Sequence, residues 1–130
     1  MNRASAYSKT QAETASKERL MVMLFEAALR HIRTGAIAIE QGRATEAVTP
    51  LMKANDIVVE LRSTLDVAKS PELCGHLADL YLFVCTKLMH ASVARDAVAA
   101  REAERAFAPV VEAFQMAVAG LKSQPTAVAR

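Results

Sequence analysis

Tryptophan does not occur in this sequence, cysteine occurs twice, and glycine and proline occur only four times each. So few turn residues exclude a sandwich or barrel of many short strands. Two cysteines exclude a disulfide-dense scaffold. Cys74 and Cys85 fall in one predicted helix, where eleven residues separate their Cα atoms by about 16 Å. A disulfide needs less than about 7 Å, so both read as reduced core thiols, as in a cytosol. The glycines at 35, 42, 75 and 120 stand alone, which excludes a glycine-rich phosphate loop. Neither HExxH, CxxC nor Glu-x-x-His occurs, and with them go the commonest helical metal signatures. His31, His76 and His90 are irregularly spaced and read as surface or packing residues. Nothing here points to an enzyme or a cofactor. Charge of one sign is also lacking: 16 Lys and Arg stand against 14 Asp and Glu, a net +2. The basic residues are scattered, without the stripe that nucleic-acid binding requires. No apolar run approaches the roughly 20 residues that span a bilayer. The first 20 residues hold no apolar block of the kind found in a secretory signal.

What is abundant is alanine, 26 of 130 residues. Alanine has the highest helix propensity and little burial energy, so the composition predicts an all-α chain. Residues 1–15 are small and polar apart from Tyr7, and read as a flexible N-terminal tail unless the Tyr7 ring anchors it. Residues 16–121 form a single helical domain, and residues 122–130 a disordered C-terminal tail. The first helix is expected from Ser16, an N-cap, to Gln41, with Gly42 ending it. The second is expected to start at Thr49-Pro50, cap and first turn, after a loose turn at 45–48, and to end near Leu65 or Asp66. Ser70-Pro71-Glu72 is the clearest start signal in the chain and opens a third helix to about Val93. A fourth follows Asp96 to about Leu121, kinked or split at Pro109. Four such helices with short connections predict an antiparallel up-down four-helix bundle.

The chain carries more apolar positions than a bundle core uses, which is about three in seven. Met21, Val22, Phe25, Leu82, Phe83 and Met89 are the surplus. Two readings stand side by side: a wide core with some tolerated exposure, or grooves that accept segments of a partner. Met21, Met23 and Met89 suit an adaptable groove as well as a core.

Several blocks, in order and spacing, resemble the flagellin-specific export chaperone family FliS over about residues 5–121. Ala6-Tyr7 is similar to the family's N-terminal tyrosine segment. Leu20 to Glu26, LMVMLFE, is similar to its L-x-x-M-L-[YF]-[DE] element. Lys53 to Leu61, KANDIVVEL, is similar to K-A-x-x-I-I-x-x-L, with Leu65-Asp66 following in place. Leu80-Tyr81-x-Phe83, Leu88-x-x-Ala91 and Asp96 continue the pattern. The chain departs from it in having Ser16-Lys17 where a proline is usual and Ser92 where an asparagine is usual. It also lacks the late tryptophan, whose place Phe114 can fill, and has the unusual Pro109.

The resemblance implies a cytoplasmic chaperone, not an enzyme, that binds the disordered C-terminal segment of flagellin. It would block premature polymerisation and deliver the client to the flagellar type III export gate, as a monomer or homodimer. It implies no cofactor, no nucleic acid and no membrane insertion. It also implies that Tyr7, Asn55, Leu61, Leu65, Tyr81 and Leu88 contact the client or cap its groove. Asn55 has a physical rationale, since an amide among apolar neighbours can hydrogen-bond an extended backbone. The alternative is a helical adaptor, or a secretion chaperone for a different client.

Overall fold

A computed structural model describes residues 3–123. Four helices follow one another: α1 (Arg3–Glu40), α2 (Ala44–Ser63), α3 (Pro71–Ala94) and α4 (Ala97–Ser123). Each packs against the helices before and after it, and α4 closes the ring on α1. The short connections make neighbours antiparallel, so the architecture is the expected up-down bundle.

The boundaries differ from the sequence reading in three places, each with a local cause. The first helix begins at Arg3 instead of Ser16. No proline or glycine interrupts residues 3–15, and four of them are alanine, so propensity favours continuing the helix. The side chain of Tyr7, expected to anchor a tail, lies outside the described residues, as do residues 124–130 of the expected C-terminal tail.

The second helix begins at Ala44, five residues before Thr49, and takes in Pro50. Ala47 and Pro50 are both buried. Making that turn helical keeps both out of water, and this burial offsets the hydrogen bond that the proline lacks. The fourth helix is not split, for it runs through Pro109 without interruption. Pro109 and Arg105, whose carbonyl loses its partner, are both exposed, so water can satisfy that carbonyl.

The turns carry specific chemistry. Gly42 is left-handed at φ 76°, and Arg43 N–H donates to the Ala38 carbonyl while Gly42 N–H donates to Ile39. That is the paired closure a glycine stop makes. Arg95 takes the same left-handed conformation without being glycine, at φ 54°. Asp96 then caps α4: its Oδ1 accepts from the Val98 and Ala99 backbone N–H groups at 2.9 and 3.2 Å.

The core is built from residues at helical spacing on the inward face of each helix. Ile32 and Ala36 from α1, Leu51, Ala54, Val58 and Leu61 from α2, Tyr81, Val84 and Leu88 from α3, and Phe107 and Val111 from α4 are buried. Phe25 packs on Phe107 and Phe114, and Tyr81 on Phe107, joining α1, α3 and α4 through aromatic rings. Cys74 and Cys85 are both free thiols.

Candidate functional site

The four seams of the bundle differ in their chemistry. Between α1 and α2 the contact is steric: a Cβ on Gly35 would lie 2.5 Å from Leu51 Cδ2, so α2 sits hard against α1 there. Between α1 and α4 the contact is ionic. Arg101 bridges Glu40 at 2.7 Å and Glu104 at 2.9 Å, Arg33 reaches Glu104 at 2.7 Å, and Gln115 donates to Glu26. The Arg101 hydrogen bond holds the Glu40 carboxyl below its ordinary range. At Glu104 burial opposes ionisation, and hydrogen bonds from Arg33 and Arg101 overcome it. Between α3 and α4, Lys87 pairs with Glu102 at 2.9 Å and lies over the Phe83 ring. Among the described residues no ion pair or side-chain hydrogen bond crosses from α2 to α3.

That fourth seam is an open apolar groove. On α2, Val48, Met52, Asn55 and Val59 recur at intervals of four, three and four; on α3, Leu82, Cys85, Met89 and Val93 recur at three, four and four. Each set is therefore one stripe on one helix face. Met52, Val59, Leu82, Met89 and Val93 are all more than half exposed. Two adjoining concavities lie along the seam. One, of about 290 Å³, is lined by Leu51, Met52, Asn55, Leu88, Met89 and Val93, among others. The other, of about 510 Å³, is bordered by Asn55, Leu82, Cys85, Met89 and His90. Asn55 stands where they meet, and its amide makes no hydrogen bond among the described residues. A concavity on the α1/α4 side is of mixed character by contrast, with Glu26, Arg30, Arg33, Glu112 and Gln115 beside Leu29, Ile37 and Val111.

α3 is also the most apolar helix, long and apolar enough to cross a membrane by composition alone. It is a bundle helix: Tyr81, Val84, Leu88 and Ala91 are packed in the core. Only 22% of its most apolar 18 residues are buried inside the bundle, so much of its apolar surface is left uncovered.

The structure separates the six residues singled out from the sequence. Asn55 and Leu88 come together in the groove, Leu88 as its buried floor. Leu61 and Tyr81 are 1% and 2% exposed and belong to the core; burial pushes the Tyr81 hydroxyl up to about 12. Leu65 packs part-buried against that core. Tyr7 falls within α1, and its side chain lies outside what the structure describes. Sequence reasoning missed Met52, Val59 and Val93. Their signal was present in the helical spacing that Met52 and Val59 share with Asn55. The surplus apolar residues divide as well: Phe25 is core, whereas Leu82, Phe83 and Met89 face outward.

The family model described as "Flagellar protein FliS" matches residues 1–121. The chain belongs to the FliS family. It is 30% identical over 115 residues to the flagellar secretion chaperone FliS of Salmonella typhimurium, covering 85% of each chain. It is 28% identical over 117 residues to that of Bacillus subtilis, covering 90% of this chain and 86% of the relative. The Campylobacter jejuni FliS matches at 34% over a shorter 77 residues. The FliS match spans all four helices, so the α2/α3 groove lies within the region shared with these chaperones.

Proposed function

We propose that this chain is a cytoplasmic export chaperone that binds the disordered C-terminal segment of flagellin in the α2/α3 groove. Binding there blocks premature polymerisation and holds the client for the flagellar type III export gate. The observation that carries this reading is the pair of unpartnered apolar stripes with one unbonded amide, Asn55, between them. A disordered segment loses about 1–2 kcal/mol of backbone entropy per residue ordered. Apolar burial, at about 25 cal/mol per Å², offsets that cost. Met52 and Met89 adapt to the client's side chains, while Asn55 hydrogen-bonds its backbone where helix gives way to extended chain.

Calorimetric titration with the C-terminal segment of flagellin from the same organism tests this. A saturable 1:1 complex with a negative heat-capacity change and a gain in helical signal is the expected outcome. Absence of binding at tens of micromolar would overturn the flagellin assignment and leave the alternative, an adaptor for another client. Within the same proposal Tyr7 contacts the client or caps its groove. Tyr7→Ala then leaves the helical signal unchanged and alters client affinity; unchanged affinity removes Tyr7 from the site.

A further inference from the structure

Three sulfur-bearing side chains line the α2/α3 seam: Met52, Cys85 and Met89. Met52 and Met89 border the same concavity, one from each helix, and are 58% and 64% exposed. An oxidant in solution reaches both thioethers. Cys85 differs, because it is half-buried and burial holds its thiol above the ordinary range. It stays protonated at neutral pH, and the thiolate is the form that peroxides attack. A thioether has no proton to lose, so its oxidation does not wait on ionisation.

We propose that Met52 and Met89 form an oxidation-sensitive modification site, where conversion to sulfoxides by peroxide-class oxidants lowers the groove's affinity for its apolar client. The client arm rests on the flagellin reading above. In the chemical step a sulfur lone pair attacks one oxygen of hydrogen peroxide. The S–O bond forms as the O–O bond breaks, sulfur loses two electrons, and the second oxygen leaves with both hydrogens as water. Each sulfoxide adds a polar oxygen to a lining in which Leu51, Leu88 and Val93 are apolar and Asn55 and Ser92 carry side-chain donors. Covered by an apolar client, that oxygen is either desolvated unpaired or takes the Asn55 amide away from the client backbone, and both outcomes weaken binding, by about tenfold for each sulfoxide.

The test compares the full chain with a Met52→Leu/Met89→Leu variant, a volume-conserving change, before and after hydrogen peroxide. Sulfoxides are located by peptide mass spectrometry, with Met116, 74% exposed and outside the groove, as internal reference. Two binding readouts are taken: the flagellin C-terminal segment, and the apolar dye ANS as a client-independent probe. The proposal expects Met52 and Met89 to oxidise about as fast as Met116, and the flagellin segment to protect them but not Met116. It expects both binding signals to fall at least tenfold in affinity in the native chain and to persist in the variant. If Met52 and Met89 stay reduced while Met116 is oxidised, the proposal is overturned. Undiminished binding by the doubly oxidised chain overturns it too, as does an equal loss in the leucine variant. Should the reduced chain bind dye but not flagellin, the flagellin reading fails, and the dye signal alone decides the modification site by the same criteria.

Discussion

Asn55 is a polar amide set between two methionines in an apolar groove, and its chemistry is available to a client backbone. Asn55→Ala is therefore expected to weaken flagellin-segment binding by about 1 kcal/mol, roughly fivefold, with an unchanged melting temperature. Calorimetry and thermal denaturation on one preparation check both halves. Gly35 is the opposite kind of residue, with a steric task. An added Cβ would also lie 2.6 Å from Leu51 Cγ, deep in the side chain, where a terminal rotation alone does not clear it. Gly35→Ala is expected to destabilise the bundle by about 1–2 kcal/mol despite alanine's better helix propensity, because overpacking outweighs it. Denaturant midpoints measure this. The two positions were not equally legible. Asn55 stood out as a polar residue in an apolar pattern. The task of Gly35 depends on Leu51 of α2 lying against it, which no neighbour in sequence records.

At the scale of the element, Pro109 and the α1/α4 ion pairs make opposite contributions. Pro109 is exposed within an unbroken helix, so nothing buried depends on its ring. Pro109→Ala restores a backbone hydrogen bond and is expected to raise stability by about 1–3 kcal/mol. A lowered melting temperature would show that the proline serves the bundle in another way. The ion pairs give a pH dependence whose sign follows from the depressed carboxylates. Glu40 is lowered by its hydrogen bond from Arg101. Glu104, which burial alone would raise, is lowered by Arg33 and Arg101. Both bind protons less readily folded than unfolded. Their stabilisation is complete above the ordinary glutamate value of about 4.3 and is lost as pH falls through the lower folded values. Arg101→Met is expected to flatten that acid-side decline, which urea titrations over the acid range would reveal. Unchanged acid sensitivity would assign the decline to other carboxylates. Sequence spacing located α3 well because Ser70-Pro71 is an unambiguous start. It places α2 late because Pro50 resembles a first-turn proline, and only the burial of Ala47 and Pro50 shows why the preceding turn is helical.

For the whole molecule, the seams set where a client can act. The α1/α2 seam is tightly packed and the α1/α4 and α3/α4 seams are ion-paired, whereas the α2/α3 groove brings exposed apolar stripes from two helices together. A client seated there stabilises the folded chain by mass action. A rise in melting temperature with flagellin-segment concentration is expected, and it should vary little over a tenfold range of salt because the groove's own stripes are uncharged. A steep salt dependence would move the contact to the charged α1/α4 side. The all-α class, the helix count, the antiparallel order and the family were determined by the sequence alone. Alanine content, apolar periodicity and local stop signals are properties of neighbouring residues, and the FliS-like blocks lie along the chain in readable order. Which apolar stripe becomes core and which stays open was decided only by tertiary structure. Tyr81 and Leu82 are adjacent in sequence and alike in hydrophobicity, yet one is buried and the other is half exposed. That division depends on the rotation of α3 against α2 and α4, set by the packing of all four helices together.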